Sequence, residues 1–378
     1  MVSKLVYTID IDSVSNIQDE TITKMYNLLL TQKNIINNFY CNKKWDKYKK
    51  QSNLYELIFS TGHNLPSLSS YTPISRSFFK HWEILHDFKN ELNFINSNSP
   101  LKIACLAEGP GGFIESFVNF RKGQGDKIYG ISLVSTNKSV PNWKFTKEYL
   151  LLNNIELLYG YDKTGSLYSK ENIDSYIDQI GEHTCDYITA DGGFDFSNNY
   201  NNQEEISQRL IASEIYTGLR IQKKHGAFLI KIYDINLQLT KQLIYILKLN
   251  YETLYIIKPL TSRPANSEKY ILCINNNGKS VHLTELEELL FISTDSSVLL
   301  GLINLNIDIP DCFLNDFNLL FVMKQITSIN YNLLSIDCNI NHMTTMKLQI
   351  KKAIKWLYKY NIPLLKNSLL FYKQYYHK

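Results

Sequence analysis

Between Leu101 and Asn275 the chain alternates short apolar runs with stretches of helical periodicity, and this alternation restricts its fold more than any other feature. The runs are Lys102–Leu106, Ile128–Leu133, Ile155–Leu158, Tyr187–Ala190, Ala227–Ile232, Thr253–Ile257 and Tyr270–Ile274. Strands that alternate with helices predict a mainly parallel sheet covered on both faces. The last two runs are joined by a loop with two prolines and no helical pattern, so an antiparallel hairpin is expected at one sheet edge.

The flanks read differently. From Ser13 to about Lys50, Ile22, Met25, Leu28, Leu29 and Ile35 recur at helix-face spacings. Gly62 to Pro73 reads as a loop, and Ser75 to about Phe88 as a helix with Phe78, Phe79, Trp82 and Leu85 on one face. Beyond Asn275 the pattern is again largely helical, most clearly at Leu283–Ile292 and Met346–Tyr360. The expected division is a helical N-terminal extension at 1–98, an α/β domain at 99–276 and a mainly helical C-terminal extension at 277–378.

The 44% hydrophobic and 20% charged residues suit a folded chain with a substantial core and exclude a disordered one. A net charge of +4 and a pI near 8.5 permit an anionic partner but fall short of a DNA-coating protein. The opening residues lack the charged-then-apolar layout of a secretory signal, and no segment approaches a transmembrane span. Six cysteines are scattered without CxxC or Cys/His spacing, which suits a reduced, intracellular and cytoplasmic protein with no metal site.

Four constellations carry chemistry. Leu106-Ala107-Glu108-Gly109-Pro110-Gly111-Gly112-Phe113 follows an apolar strand and precedes a helical run, where glycines permit a tight turn and close ligand approach. Glu108 beside that loop repels a phosphate and welcomes an ammonium group. In Asp186–Asp195 a strand delivers Asp191 to its carboxyl end, the edge at which open α/β sheets bind ligands, although an Asp-Gly pair is also an ordinary turn cap. Lys231 sits inside the apolar run Phe228–Tyr233, where a lysine is costly unless it is paired or near the strand end. Lys258–Tyr270 is a polar loop with Pro259 and Pro264 before the last strand.

These motifs, in this order, resemble the FtsJ-like (RrmJ-type) family of RNA ribose 2′-O-methyltransferases, most closely its mRNA cap-methylating branch. The match runs from about Tyr71 to Asn275 and rests on AEGPGGF, TADGGFD and the lysine strand followed by KPLTSRPANSEKY. The resemblance implies a Rossmann-like S-adenosylmethionine-dependent methyltransferase fold, with S-adenosyl-L-methionine as cofactor and RNA, in this branch capped mRNA, as substrate. It implies a catalytic tetrad of Lys80, Asp191, Lys231 and Glu268, and a cofactor site of Glu108, Gly109, Pro110, Gly111, Gly112, Phe113 and Asp191. One departure stands out: Ser166 occupies the position where the family often has an adenine-side acid, which leaves Asp162 or Ser166 itself for that role.

A neutral ribose hydroxyl is a poor nucleophile, so the chemistry needs alignment and a proton acceptor. Lys231 is the expected general base, with its pKa pushed down by burial and by Lys80 against the opposing Asp191 and Glu268. In the tail, Lys347, Lys351, Lys355 and Lys359 recur at helical spacing, which is either an RNA-phosphate contact or a solvated basic face. Three readings stay open: cap-proximal mRNA methylation, with a capping-apparatus partner protein as one option; ribosomal or transfer RNA methylation; and a catalytically degenerate RNA-binding or scaffolding subunit.

Overall fold

The computed structural model describes residues 5–9, 17–40, 44–60, 66–137, 140–194, 201–292, 304–338 and 343–373. In chain order the elements are β1 (Leu5–Ile9), α1 (Asp19–Tyr40), α2 (Lys44–Gln51), α3 (Ser77–Asp87), β2 (Lys102–Leu106), α4 (Gly112–Arg121), β3 (Lys127–Ile131) and α5 (Lys147–Leu152). Then follow β4 (Ile155–Leu158), α6 (Lys170–Ile180), β5 (Cys185–Ala190), α7 (Gln203–Ile221), β6 (Gln222–Ile232), α8 (Gln238–Asn250), β7 (Tyr251–Lys258) and β8 (Lys269–Asn276). The C-terminal part holds α9 (Leu283–Glu287), α10 (Asn315–Asp337), α11 (Met343–Lys359) and α12 (Lys366–Lys373).

The strands form one sheet in the order β1-β7-β8-β6-β5-β2-β3-β4. The five from β4 to β6 are parallel, while β8 runs antiparallel to both β6 and β7. Side chains alternate between sheet faces with a period of two. Phe228, Ile230 and Ile232 therefore join the core under α6–α8, whereas Ala227 and Leu229 join the core under α3 and α4. Lys231 continues the second row, at the carboxyl end of its strand. Local capping sharpens the helices: the Thr146 and Ser169 hydroxyls accept the N–H groups of Tyr149 and Asn172 at the starts of α5 and α6.

Three differences from the expectation are instructive. The N-terminal extension does not begin as a helix: β1 pairs antiparallel with β7, so the β7–β8 hairpin forms but is not the sheet edge. The helical pattern from Ser13 is two helices, α1 and α2, and its first residues lie outside the described ones, as does Asp195. The long helix α10 carries little apolar periodicity because it buries more than one side: Phe321 enters the sheet core, while Val322, Ile326, Ile329 and Leu333 pack with Leu29 and Ile36 of α1.

Candidate active site

Three of the motifs meet because β2, β5 and β6 are neighbours in the sheet and parallel, so their carboxyl ends open on one edge. The glycine loop follows β2, Asp191 follows β5, and Lys231 is next to last in β6. Lys80 comes from the middle of α3, and Glu268 immediately precedes β8, whose Lys269 faces Ile232. All four residues of the expected tetrad are brought together.

Their contacts form two linked pairs. Lys231 Nζ lies 3.1 Å from Asp191 Oδ1 and donates to the Asp191 carbonyl at 2.7 Å. Lys80 Nζ donates to Glu268 Oε2 at 2.7 Å, and Ser262 Oγ donates to Glu268 Oε1 at 2.8 Å. Tyr270, the strand partner of Lys231, donates its hydroxyl to Asp191 Oδ1 at 2.9 Å. Each carboxylate is thus held by one lysine and one hydroxyl.

The electrostatics correct one expectation. Burial does push against the charge on Lys231, but Asp191, Tyr233 and Glu268 outweigh it, and the pKa is raised rather than lowered. Burial likewise raises Glu268, yet Lys80, Lys231 and Lys258 bring it down to about 2. Lys80 was expected to push Lys231 down; its charge is instead answered by Glu268 at hydrogen-bond distance. The lysine that burial does depress well below its ordinary value is Lys258, whose Nζ donates to the carbonyls of Asn266 and Glu268 at 2.7 and 2.6 Å.

The glycine loop is packed against the rest of the chain so closely that side chains would not fit. A Cβ on Gly109 would lie 2.1 Å from the Pro141 carbonyl oxygen, and Gly111, at φ 115°, would meet Phe145 at 2.3 Å. Gly112 is where α4 nears α3, since its Cβ would stand 2.2 Å from the Ser75 and Ser77 hydroxyls. Pro110 follows a cis peptide. Phe113 departs from its expected role: as the second residue of α4 its ring turns inward, 1% exposed and stacked on His81 at 4.5 Å, so the side chain belongs to the core. Glu108 is 3% exposed, and neither carboxyl oxygen reaches a partner in hydrogen-bond geometry. Burial first, then Asp191 and Glu214, push its pKa well up, against Thr189 and Cys105.

Beside this loop lies the turn that departs from the family pattern. Asp162 Oδ1 accepts from the Thr164 N–H at 2.8 Å and the Thr164 hydroxyl at 2.7 Å, and those bonds hold its pKa below the ordinary value. Ser166 Oγ accepts from the Tyr168 N–H at 3.2 Å. Gly165 packs against Ser132, whose hydroxyl accepts the Gly109 N–H at 3.1 Å, so this turn and the glycine loop share a support.

The sequence profile of the FtsJ-like methyltransferase family matches residues 73–276, just over half of the chain. The chain belongs to the FtsJ-like methyltransferase family. It is similar to cap-specific mRNA (nucleoside-2′-O-)-methyltransferase 1 of Drosophila melanogaster, 33% identical over 172 residues that cover 44% of this chain and 21% of that protein. Methyltransferase 1A of the same description from Caenorhabditis briggsae is 35% identical over 174 residues, covering 45% and 20%. The chain therefore spans about a fifth of the length of these curated relatives. Among solved structures, a Plasmodium falciparum chain described as a ribosomal RNA methyltransferase aligns with a TM-score of 0.40 at 19% identity, covering 54% of this chain and 99% of that one. Membership of the family implies S-adenosylmethionine as methyl donor, and the sheet is the family's Rossmann-like one with an antiparallel edge.

Other residues beside these two pairs carried a weaker sequence signal. Tyr233 shares the Lys231 side of β6 by the period of two; a Cβ on Gly193 would be 2.6 Å from its hydroxyl and 3.1 Å from Lys231 Nζ. Burial raises its pKa to about 12. Glu214, buried in α7 beneath Gly192, is raised to about 8 by burial and Asp191 against Lys231 and the Gly192 N–H, and nothing in its helical sequence marked it. The tail lysines divide. Lys359 pairs with Asp87 at 2.9 Å, whereas Lys347, Lys351 and Lys355 form no ion pair among the described residues.

Proposed function

We propose that the chain transfers a methyl group from S-adenosylmethionine to a ribose 2′-hydroxyl of RNA, at the cap-proximal nucleotide of mRNA. The observation that carries this reading is the Lys231–Asp191 pair set beside the Lys80–Glu268 pair at one edge of the sheet. That arrangement offers two ammonium groups and two carboxylates to a neutral, polar acceptor. The likeness to cap-specific enzymes supports the choice of substrate.

The residues also suit the cofactor. A glycine loop in which three added Cβ atoms would clash, an unpartnered buried carboxyl at Glu108 and the Ser166 turn line the edge beside Asp191. Bound there, S-adenosylmethionine supplies an electrophilic methyl on a cationic sulfonium. A cation near Glu108 and Asp191 would favour the charged forms of both acids.

Without RNA, Lys231 is an ammonium paired with Asp191. An ammonium cannot accept a proton, so the reactive fraction is the one in which Lys231 has first released its proton to solvent. As the neutral amine it accepts from the 2′-hydroxyl, which leaves an oxygen lone pair free to face the methyl, while Asp191 fixes the amine and Lys80 the ribose. That neutral amine takes the hydroxyl proton as the methyl leaves sulfur for the 2′-oxygen. The test is incubation with labelled S-adenosylmethionine and a panel of capped, uncapped and internally structured RNAs, followed by nucleoside analysis. Label in the 2′-O-methylated nucleoside next to the cap is expected. Label on a base, or in structured RNA alone, overturns the reading.

A further inference from the structure

Behind the loop that presents Glu268 lies a cavity of about 250 Å³ that none of Lys80, Asp191, Lys231 or Glu268 lines. One wall is the back of the loop, with Lys258, Pro259, Pro264 and Lys269; the other is α10, with Phe321 and Lys324. Among the described residues its lining includes three lysines and no acid. The amines of Lys258 and Lys269 donate to neutral backbone carbonyls, Lys269 to those of Tyr233 and Ser267 at 2.6 and 2.7 Å. The nearest acids are already engaged, Asp234 by Lys33 at 2.8 Å and Glu268 by Lys80. Lys324 has no ion pair among the described residues.

The positive charge at this cavity is therefore under-answered. Burial depresses all three lysines, Lys269 to about 8. An anion in the cavity would relieve that cost, and the apolar walls call for a planar group attached to it. Phe321 already holds the Lys269 amine 5.2 Å from its ring centre, so aromatic and cation meet at one point.

We propose that this cavity holds one nucleotide of the RNA strand outside the methylated position, its phosphate facing Lys324 and Lys269 and its base against Phe321 and the prolines. The space suits a single nucleotide and is too small for a protein segment. This proposal rests on RNA being the substrate.

The experiment uses the full chain saturated with S-adenosylhomocysteine, so that a nucleotide cannot enter the adenosine site. GMP and inorganic phosphate are titrated by calorimetry into wild type, Lys324→Gln and Ser328→Trp, the last of which fills the cavity from its lining, with thermal melts as a check on folding. GMP should bind wild type more tightly than phosphate does, and both variants should lose roughly tenfold in GMP affinity. In RNA methylation the variants should raise KM with kcat unchanged. Equal GMP affinity in all three proteins, or phosphate binding as tightly as GMP, overturns the assignment. A wild type that methylates no RNA overturns the function proposed above, whereas the calorimetry reports on the cavity by itself.

Discussion

Lys231 holds its proton more firmly than a free lysine because a carboxylate stands 3.1 Å away at a largely buried site. The sign of the pH effect follows. A group whose pKa is raised stays charged until the pH passes that higher value, so its neutral form is scarce throughout the neutral range. Single-turnover methyl transfer that depends on neutral Lys231 should rise with pH, up to about tenfold per unit, without levelling off below the ordinary lysine value of about 10.4. A plateau near neutrality would show that RNA and cofactor reverse the balance completely, or that another group titrates. Lys231→Ala should remain folded and bind cofactor, since Tyr270 still supports Asp191, but should lose roughly 10²–10⁴-fold in rate. Near-normal transfer by that variant would remove Lys231 from the chemistry.

At the level of elements, the loop between β7 and β8 is held from outside the sheet. Glu83, one turn beyond Lys80 in α3, is fully buried and accepts from the N–H groups of Leu260 and Thr261 at 2.8 and 3.3 Å. It also accepts from Trp356 Nε1 of α11 at 3.0 Å. The helix that carries Lys80 therefore grips the loop that carries Glu268, with the C-terminal extension as a third support. Trp356→Phe keeps the ring packing but removes a donor to a buried carboxylate, at a cost of about 1–3 kcal/mol. We expect a lower kcat with unchanged cofactor affinity, measured by kinetics and calorimetry on the same preparation. A stability loss with kcat intact would mean that Trp356 only packs.

Across the whole molecule, the extensions are tied to the α/β sheet by buried charge. Lys33 of α1 donates to Asp234, just past β6, at 2.8 Å, with side chains 2% and 3% exposed. Burial works against the Asp234 carboxylate, but Lys33 and then Lys269 hold its pKa below the ordinary value. Removing one partner of a buried pair leaves the other uncompensated, so Lys33→Met should cost roughly 3–5 kcal/mol in urea unfolding. Adding Asp234→Asn should recover part of that loss. If Lys33→Met unfolds within about 1 kcal/mol of wild type, Lys269 alone suffices for Asp234 and the link between extension and sheet is weaker than the burial implies.

The alternating apolar runs were enough to establish a parallel sheet with helices on both faces, because strand burial and helix periodicity are local properties of the chain. The glycine loop, Asp191 and Lys231 were legible for a related reason, as a glycine-rich turn after a strand, an acid at a strand end and a lysine in an apolar strand, whereas Glu268 and Lys80 came only from the family resemblance. What could not be read locally is what depends on partners far along the chain. β1 is an edge strand only because β7 lies beside it, and α10 hides its periodicity by burying more than one side. Phe113 sits in the glycine motif, yet the helical turn of α4 aims its ring at His81. The protonation of Lys231 was decided the same way: burial and an apolar strand argued for a low pKa, and the distance to Asp191, which only the folded sheet sets, turned it upward.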